Sequence, residues 1–249
     1  MPGSPIIVEE IEPAIVQVTM AEREHKNTFT EAFTEGLVDA FQAVRSNATY
    51  KVAVLTGYDT YFASGGTREG LFAIHEGRAK FTDANIYALA LDCKIPVISA
   101  MHGHAIGGGF VLGLFSDFVV LGRESVYTTN FMKYGFTPGM GATAILPEKL
   151  GRSLATEMLF TAETYRGAQL EKRGVGFPVV PRADGLTYAH TLARQVAAKP
   201  RESLIVLKDH LVRGLRESLP RFIEQELVMH GKTIHQPEVK ERIEALFGM

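Results

Sequence analysis

The stretch KIPVISAMHGHAIGGGFVLGLFSDFVVLG, residues 94–122, decides the fold. PVISAM (96–101) and DFVVLG (117–122) are β-type runs, and FVLGLFSD between them reads as a short apolar helix that ends before the second strand. Gly107, Gly108 and Gly109 therefore stand where a strand turns into a helix. Glycine lets the backbone take φ > 0 and come close to a ligand, while the first turn of a helix presents unpaired N–H groups backed by its dipole. Such a turn can hold a developing negative oxygen, although steric need alone also accounts for glycine in a tight turn. Phosphate binding is disfavoured, because neither the GxxxxGK[ST] nor the GxGxxG spacing is present.

Outward from this stretch the same texture continues. IVQVTM (15–20) and VAVLTG (52–57) are further β-type runs. Between them Phe33, Leu37, Phe41 and Val44 recur at helical spacing behind Thr30, a capping residue. Strands rich in Val and Ile that alternate with helices argue for an α/β chain with a largely parallel, helix-covered sheet. After Arg182 the β signal stops. Helical patterns fill YAHTLARQVAAK, SLIVLKDHLVRGL, LPRFIEQELVMHGKTI and PEVKERIEALFG. We expect a core over 1–182 and a helical section over 183–249 of the same single domain.

Composition excludes several classes. A chain of 249 residues with 46% hydrophobic and 22% charged residues has ample apolar surface to bury as a globular domain. A net charge of -2 offers no basic field for nucleic acid. Cys93 is the one cysteine, which excludes an intramolecular disulfide and fits a reducing, cytoplasmic location. The start MPGSPIIVEEIEP lacks a basic run followed by an apolar core, and no apolar stretch approaches the ~20 residues that span a bilayer, so neither export nor a membrane is expected. No metal motif and no need for a redox cofactor can be read from the residues.

A second glycine pair, Gly65 and Gly66 in FASGGTREG, follows the VAVLTG strand closely. Two backbone N–H groups from two such turns, aimed at one oxygen, make an oxyanion hole. With these residues in hand, the chain resembles the crotonase (enoyl-CoA hydratase/isomerase) superfamily. VAVLTG, FASGGT, KIPVISAMHGHAIGGGF, SDFVVL, FMKYGFTPGMGAT and LPEKLGRSLATEMLFTAETYRGAQLEKRGV carry the resemblance in order over nearly the whole chain. It implies a spiral of repeated ββα units followed by C-terminal helices, assembly as a homotrimer or dimer of trimers, and ligands that are acyl thioesters. By the same resemblance Gly66 and Gly108 are the oxyanion donors.

The family's hydratases carry a Glu two residues after the triplet and another eight residues before the Pro of the PGxGG-like segment. Here these positions fall on Val111 and on Phe131 or its neighbour Asn130. Hydration needs positioned acid and base groups, which Val and Phe cannot supply. Loss of carbon dioxide needs no strong base, because the released electron pair flows into the thioester carbonyl. NFMKYGFTPGMGAT, LALDCKIPV and AETYRGAQLEKRGV are similar to the decarboxylases of polyketide β-branching cassettes. That similarity implies conversion of a 3-methylglutaconyl chain on an acyl carrier protein to the 3-methylcrotonyl product, with catalysis by Lys80 and His230. It also implies no resident cofactor, the substrate itself riding on phosphopantetheine or coenzyme A.

His230 can be read without the family. Leu219, Ile223, Leu227 and His230 share one helical face, so the imidazole is expected to point inward, satisfied locally with help from Glu226 or free to donate a proton to a dienolate. His102 and His104 rank below it. Lys80 lies in a charged segment where Arg68, Arg78 and His75 compete, and its useful role is to orient the carboxylate or deliver a proton after its loss. Tyr87 and Asn130 are expected to position substrate, and Val111 with Phe131 to form an apolar wall that disfavours the carboxylate. Lys26 and the cations of the last helices are candidates for docking an acidic carrier protein or a coenzyme A phosphate. Two readings stand beside decarboxylation: an enoyl thioester isomerase or hydratase of the same fold, and a non-catalytic acyl-thioester-binding subunit.

Overall fold

The computed structural model describes residues 4–247, so the outermost ends of the expected 1–182 and 183–249 sections lie outside the described residues. The chain opens with a hairpin, β1 (Ile6–Glu12) and β2 (Ile15–Met20), and helix α1 (Glu31–Ser46). A two-strand unit then recurs. β3 (Val52–Thr56) and β4 (Tyr61–Ala63) lead into α2 (Arg68–His75) and the short α3 (Leu89–Asp92). β5 (Val97–Met101) and β6 (His104–Ile106) lead into α4 (Gly108–Leu114). β7 (Phe118–Gly122) and β8 (Val126–Thr128) lead through a 3-10 turn, Met132–Tyr134, into α5 (Ala142–Leu150) and α6 (Arg152–Thr161). After β9 (Thr164–Arg166), α7 (Gly167–Lys172) and β10 (Val179–Val180) the rest is helical: α8 (Gly185–Ala197), α9 (Arg201–Gly231) and α10 (Pro237–Leu246).

The strands sort into two sheets by their place in the unit. First strands form a six-stranded sheet in the order β1-β2-β3-β5-β7-β10, parallel except for the β1–β2 hairpin. Second strands form a four-stranded sheet, β4-β6-β8-β9, with only β9 antiparallel. Each unit thus steps from one sheet to the other and then into a helix, which is the spiral of ββα units that the family resemblance implied.

Period-two alternation gives the larger sheet two buried faces. Val52, Val54, Ile98, Ala100 and Val120 turn toward Ala189, Ala193 and Val196 of α8. Ala53, Leu55, Val97, Met101, Val119 and Leu121 turn the other way, into the main core with Phe33, Leu37, Phe41 and Val44 of α1. Each of these large side chains contributes roughly 1.5–3 kcal/mol by leaving water. Thr30 caps α1 as expected, its hydroxyl accepting from Phe33 N–H at 3.2 Å.

The two helical patterns around Gly214 and Pro220 are one helix, not two. Pro220 is exposed, and tertiary anchors hold both halves of the helix despite the backbone hydrogen bond that proline removes. Lys208, only 3% exposed, pairs with Asp117 at 2.7 Å and donates to the carbonyls of Ala90 and Ile95. Further along, buried Glu226 accepts from the N–H groups of Gly141 and Thr143 at 2.7 and 2.8 Å and from the Thr143 hydroxyl at 2.6 Å.

Candidate active site

The two glycine turns meet. A Cβ on Gly65, whose φ is 78°, would lie 3.1 Å from Gly108 N, and one on Gly109 would run into the Ala63 carbonyl. Gly107, at φ 53°, brings the chain into α4 with no room for a side chain beside Asn130. Close approach of backbone to backbone is thus what the triplet is for. Among the described residues neither the Gly66 N–H nor the Gly108 N–H donates to another group. Gly66 precedes Thr67, which caps α2 by accepting from Gly70 N–H at 2.9 Å, and Gly108 opens α4.

Gly66 and Gly108 both line a cavity of about 650 Å³. Its wall includes Phe29, Leu71, Ile74, Phe81, Ile86, Phe131, Phe136 and Met140, together with Lys80, Asn130 and His230. Its carboxylates, Glu31 and Asp83, belong to exposed residues, and Asp83 accepts from the Lys80 N–H at 2.7 Å. Lys80 is exposed, and its ammonium joins no ion pair among the described residues.

His230 sits at the end of α9 with 6% of its surface exposed. The rings of Phe136 and Phe81 lie 5.3 and 5.4 Å from the imidazole, and no group among the described residues hydrogen-bonds to its nitrogens. Burial pushes its pKa down to about 4, with the nearby His235 adding a smaller push, so the imidazole is neutral at neutral pH. Glu226, one turn earlier, does not serve His230. It caps α5, and burial raises its carboxyl against the pull of its three donors.

Gly66, Gly108, Lys80, His230, Asn130 and Phe131 are therefore gathered around one space. Val111 and Tyr87 are not on its wall. Val111 is fully buried in α4, and Tyr87, also buried, packs on Phe115 at 6.1 Å. His102 and His104 are tied to the backbone, through the Ala100 carbonyl at 3.1 Å and the Val126 N–H at 3.0 Å. His75 bonds the Ile234 carbonyl at 2.6 Å, while Arg78 pairs with Glu76, so neither joins Lys80. Phe29, Phe81, Phe136 and Met140 were not foreseen from the sequence. Phe81 follows Lys80 directly and Phe136 lies in the GFTPG turn, both in segments without periodicity.

A second cavity of about 660 Å³ adjoins the first, with Ser64, Thr67, Asn130, Tyr134 and Phe247 lining both. It is the more polar one, with Lys26, Arg68 and Lys133 on its wall. Glu22, Glu24 and His25 cluster in an exposed turn nearby, where the Glu22 carboxylate accepts from the N–H groups of the other two. No described helix is long and apolar enough to cross a membrane.

Residues 10–247 match the family model for enoyl-CoA hydratase/isomerase. The chain is 63% identical, over 100% of both sequences, to the bacillaene synthase decarboxylase PksI of Bacillus subtilis strain 168. It superposes with a TM-score of 0.98 at 63% identity on a solved chain of a dehydratase/decarboxylase enzyme couple involved in polyketide β-branching, covering 99% of this chain and 100% of that one. The ECH2 decarboxylase domain of CurF from Lyngbya majuscula gives a TM-score of 0.94 at 45% identity, covering 97% and 99% respectively.

Proposed function

The chain belongs to the enoyl-CoA hydratase/isomerase family, as a decarboxylase of the crotonase fold acting in polyketide β-branching, and we propose that its substrate is a 3-methylglutaconyl thioester on an acyl carrier protein. The observation that carries this reading is the single cavity shared by two free backbone donors, Gly66 and Gly108, a cation, Lys80, and a neutral imidazole, His230.

In this reading the thioester oxygen accepts from Gly66 and Gly108, and the acyl chain runs along the apolar wall toward Lys80 and His230. The bond between C4 and the carboxyl carbon breaks. Its electron pair moves through C3 and C2 to the thioester oxygen, carbon dioxide leaves, and a dienolate remains on the two N–H groups. A proton then adds at C4, which gives the 3-methylcrotonyl chain. No metal or redox cofactor is needed for this electron count.

The two side chains divide the work by charge. A neutral His230 orients the carboxylate through a hydrogen bond without balancing its charge, which stabilises the ground state less than an ion pair would. Lys80 is the cation at hand, and its ammonium supplies the proton where carbon dioxide has departed. The Phe81, Phe131 and Phe136 rings solvate a carboxylate poorly and a dispersed dienolate better. Lys26, Arg68 and Lys133 on the adjoining polar cavity suit the arm and surface of an acidic carrier protein. Val206, Leu207 and Leu211 remain exposed along α9, an apolar face suited to burial against another copy, and the homotrimer or dimer of trimers that the resemblance implies would supply one.

The experiment that separates this reading from isomerisation compares 3-methylglutaconyl thioester with its decarboxylated 3-enoyl counterpart. We expect carbon dioxide from the first and no double-bond migration in the second at a comparable rate. Migration without carbon dioxide release overturns the reading.

A further inference from the structure

Lys80 stands on a segment that the rest of the chain holds by little. Residues 68–85 comprise α2, in which no residue is fully buried, and the largely exposed loop that carries Lys80. Among the described residues, the hydrogen bonds of this segment run within itself or back to Thr67, with two exceptions. The His75 ring donates from Nδ1 to the Ile234 carbonyl at 2.6 Å, and the His235 ring donates from its Nδ1 to the His75 carbonyl at 2.6 Å. A carbonyl only accepts, so both imidazoles carry a proton on Nδ1. The two bonds cross in opposite directions between the last residue of α2 and the turn that follows His230.

That turn is itself tied to His230. The Ile234 N–H donates to the His230 carbonyl at 2.9 Å, and the Thr233 hydroxyl donates to the same carbonyl at 3.1 Å while accepting from the Thr137 N–H at 3.1 Å. On the other side Phe81, the residue after Lys80, packs on the His230 ring at 5.4 Å. We propose that His75 and His235 are positioning residues, whose crossed bonds hold the Lys80 loop at the spacing from His230 that loss of carbon dioxide and protonation at C4 require. The inference rests on the roles given to Lys80 and His230 above. Neither His75 nor His235 lines the cavity, so both act through the loop.

The test follows carbon dioxide release from the 3-methylglutaconyl thioester of N-acetylcysteamine. His75→Leu removes the donor, whereas His75→Asn returns an amide N–H to nearly the place of Nδ1. His75→Leu is expected to lower kcat by roughly 10- to 100-fold with KM changed less than about threefold, and His75→Asn to recover most of the loss. In a Lys80→Met background His75→Leu should cost little more, because the side chain it positions is gone, whereas general damage to the fold would multiply the two losses. Hydrogen exchange of the amides of residues 76–83 reads the latch without turnover: faster in His75→Leu, close to wild type in His75→Asn, and unchanged across α1 in both. Multiplied losses, no recovery with His75→Asn, or exchange that does not respond overturns the inference. If Lys80→Met alone keeps the wild-type kcat, the catalytic reading of Lys80 fails instead, and amide exchange then decides by itself whether the two histidines hold the loop.

Discussion

Gly65 faces Gly108 so closely that a Cβ on the first would stand 3.1 Å from the nitrogen of the second and 2.9 Å from the Ile106 carbonyl oxygen. The proposed oxyanion geometry depends on that approach. Gly65→Ala adds a side chain at φ 78°, where L-residues are strained, and it pushes the turns apart. We expect kcat to fall by about 10²-fold or more, as when one oxyanion donor is lost, with KM much less altered. Steady-state carbon dioxide release measures it.

Lys80→Met removes the proposed proton source from an exposed position. A loss of about 10²- to 10⁴-fold in kcat is expected, with the melting temperature unchanged. A variant within threefold of wild type would remove Lys80 from the chemistry.

His230 carries a stability signature as well as a catalytic one. Its folded pKa of about 4 lies below the unfolded value of about 6.5, so the unfolded chain binds more protons between these limits. Its contribution is intact above about pH 6.5 and is lost as pH falls toward about 4. Between pH 7 and 4.5 wild type should lose about 2 kcal/mol more than His230→Gln, read from denaturant midpoints. Equal losses would mean that the imidazole is not held neutral by burial.

Glu226→Ala leaves the N–H groups of Gly141 and Thr143 without their acceptor at the start of α5. The expected cost is about 1–3 kcal/mol in urea unfolding. Met140 and Gly139 on the cavity wall lie in the same turn, so kcat should also fall.

Lys208→Ala tests the opposite case, an anchor outside the cavity. It strands Asp117 beside the sheet, which should cost about 3–5 kcal/mol, while kcat at a temperature where the variant is folded stays near wild type.

Four strands of the larger sheet were legible because they are runs of buried apolar residues, and β2, β3, β5 and β7 fall on the quoted segments almost residue for residue, while the largely exposed β1 and the two-residue β10 gave no such signal. The smaller sheet was not. YFA, HAI, VYT and TYR are three residues each, too short to show alternation, and they exist because neighbouring turns deliver them side by side. At the site, turn chemistry pointed to the two glycine turns, the family resemblance singled out Gly66 and Gly108 within them, and helical spacing turned His230 inward. The aromatic bed of Phe81 and Phe136 depends on tertiary placement and left no local signal. Val111 marks where a hydratase carboxylate is missing, yet it lies fully buried in α4 and off the cavity wall.

Loss of carbon dioxide, with a proton taking its place at C4, is the step that sets this account apart from hydration and isomerisation. Mass spectrometry of a carrier-bound 3-methylglutaconyl chain incubated with the protein in deuterium oxide reads it directly. The account predicts a product lighter by one carbon dioxide that carries a single deuterium at C4. An unchanged mass, or a gain of one water, would contradict it.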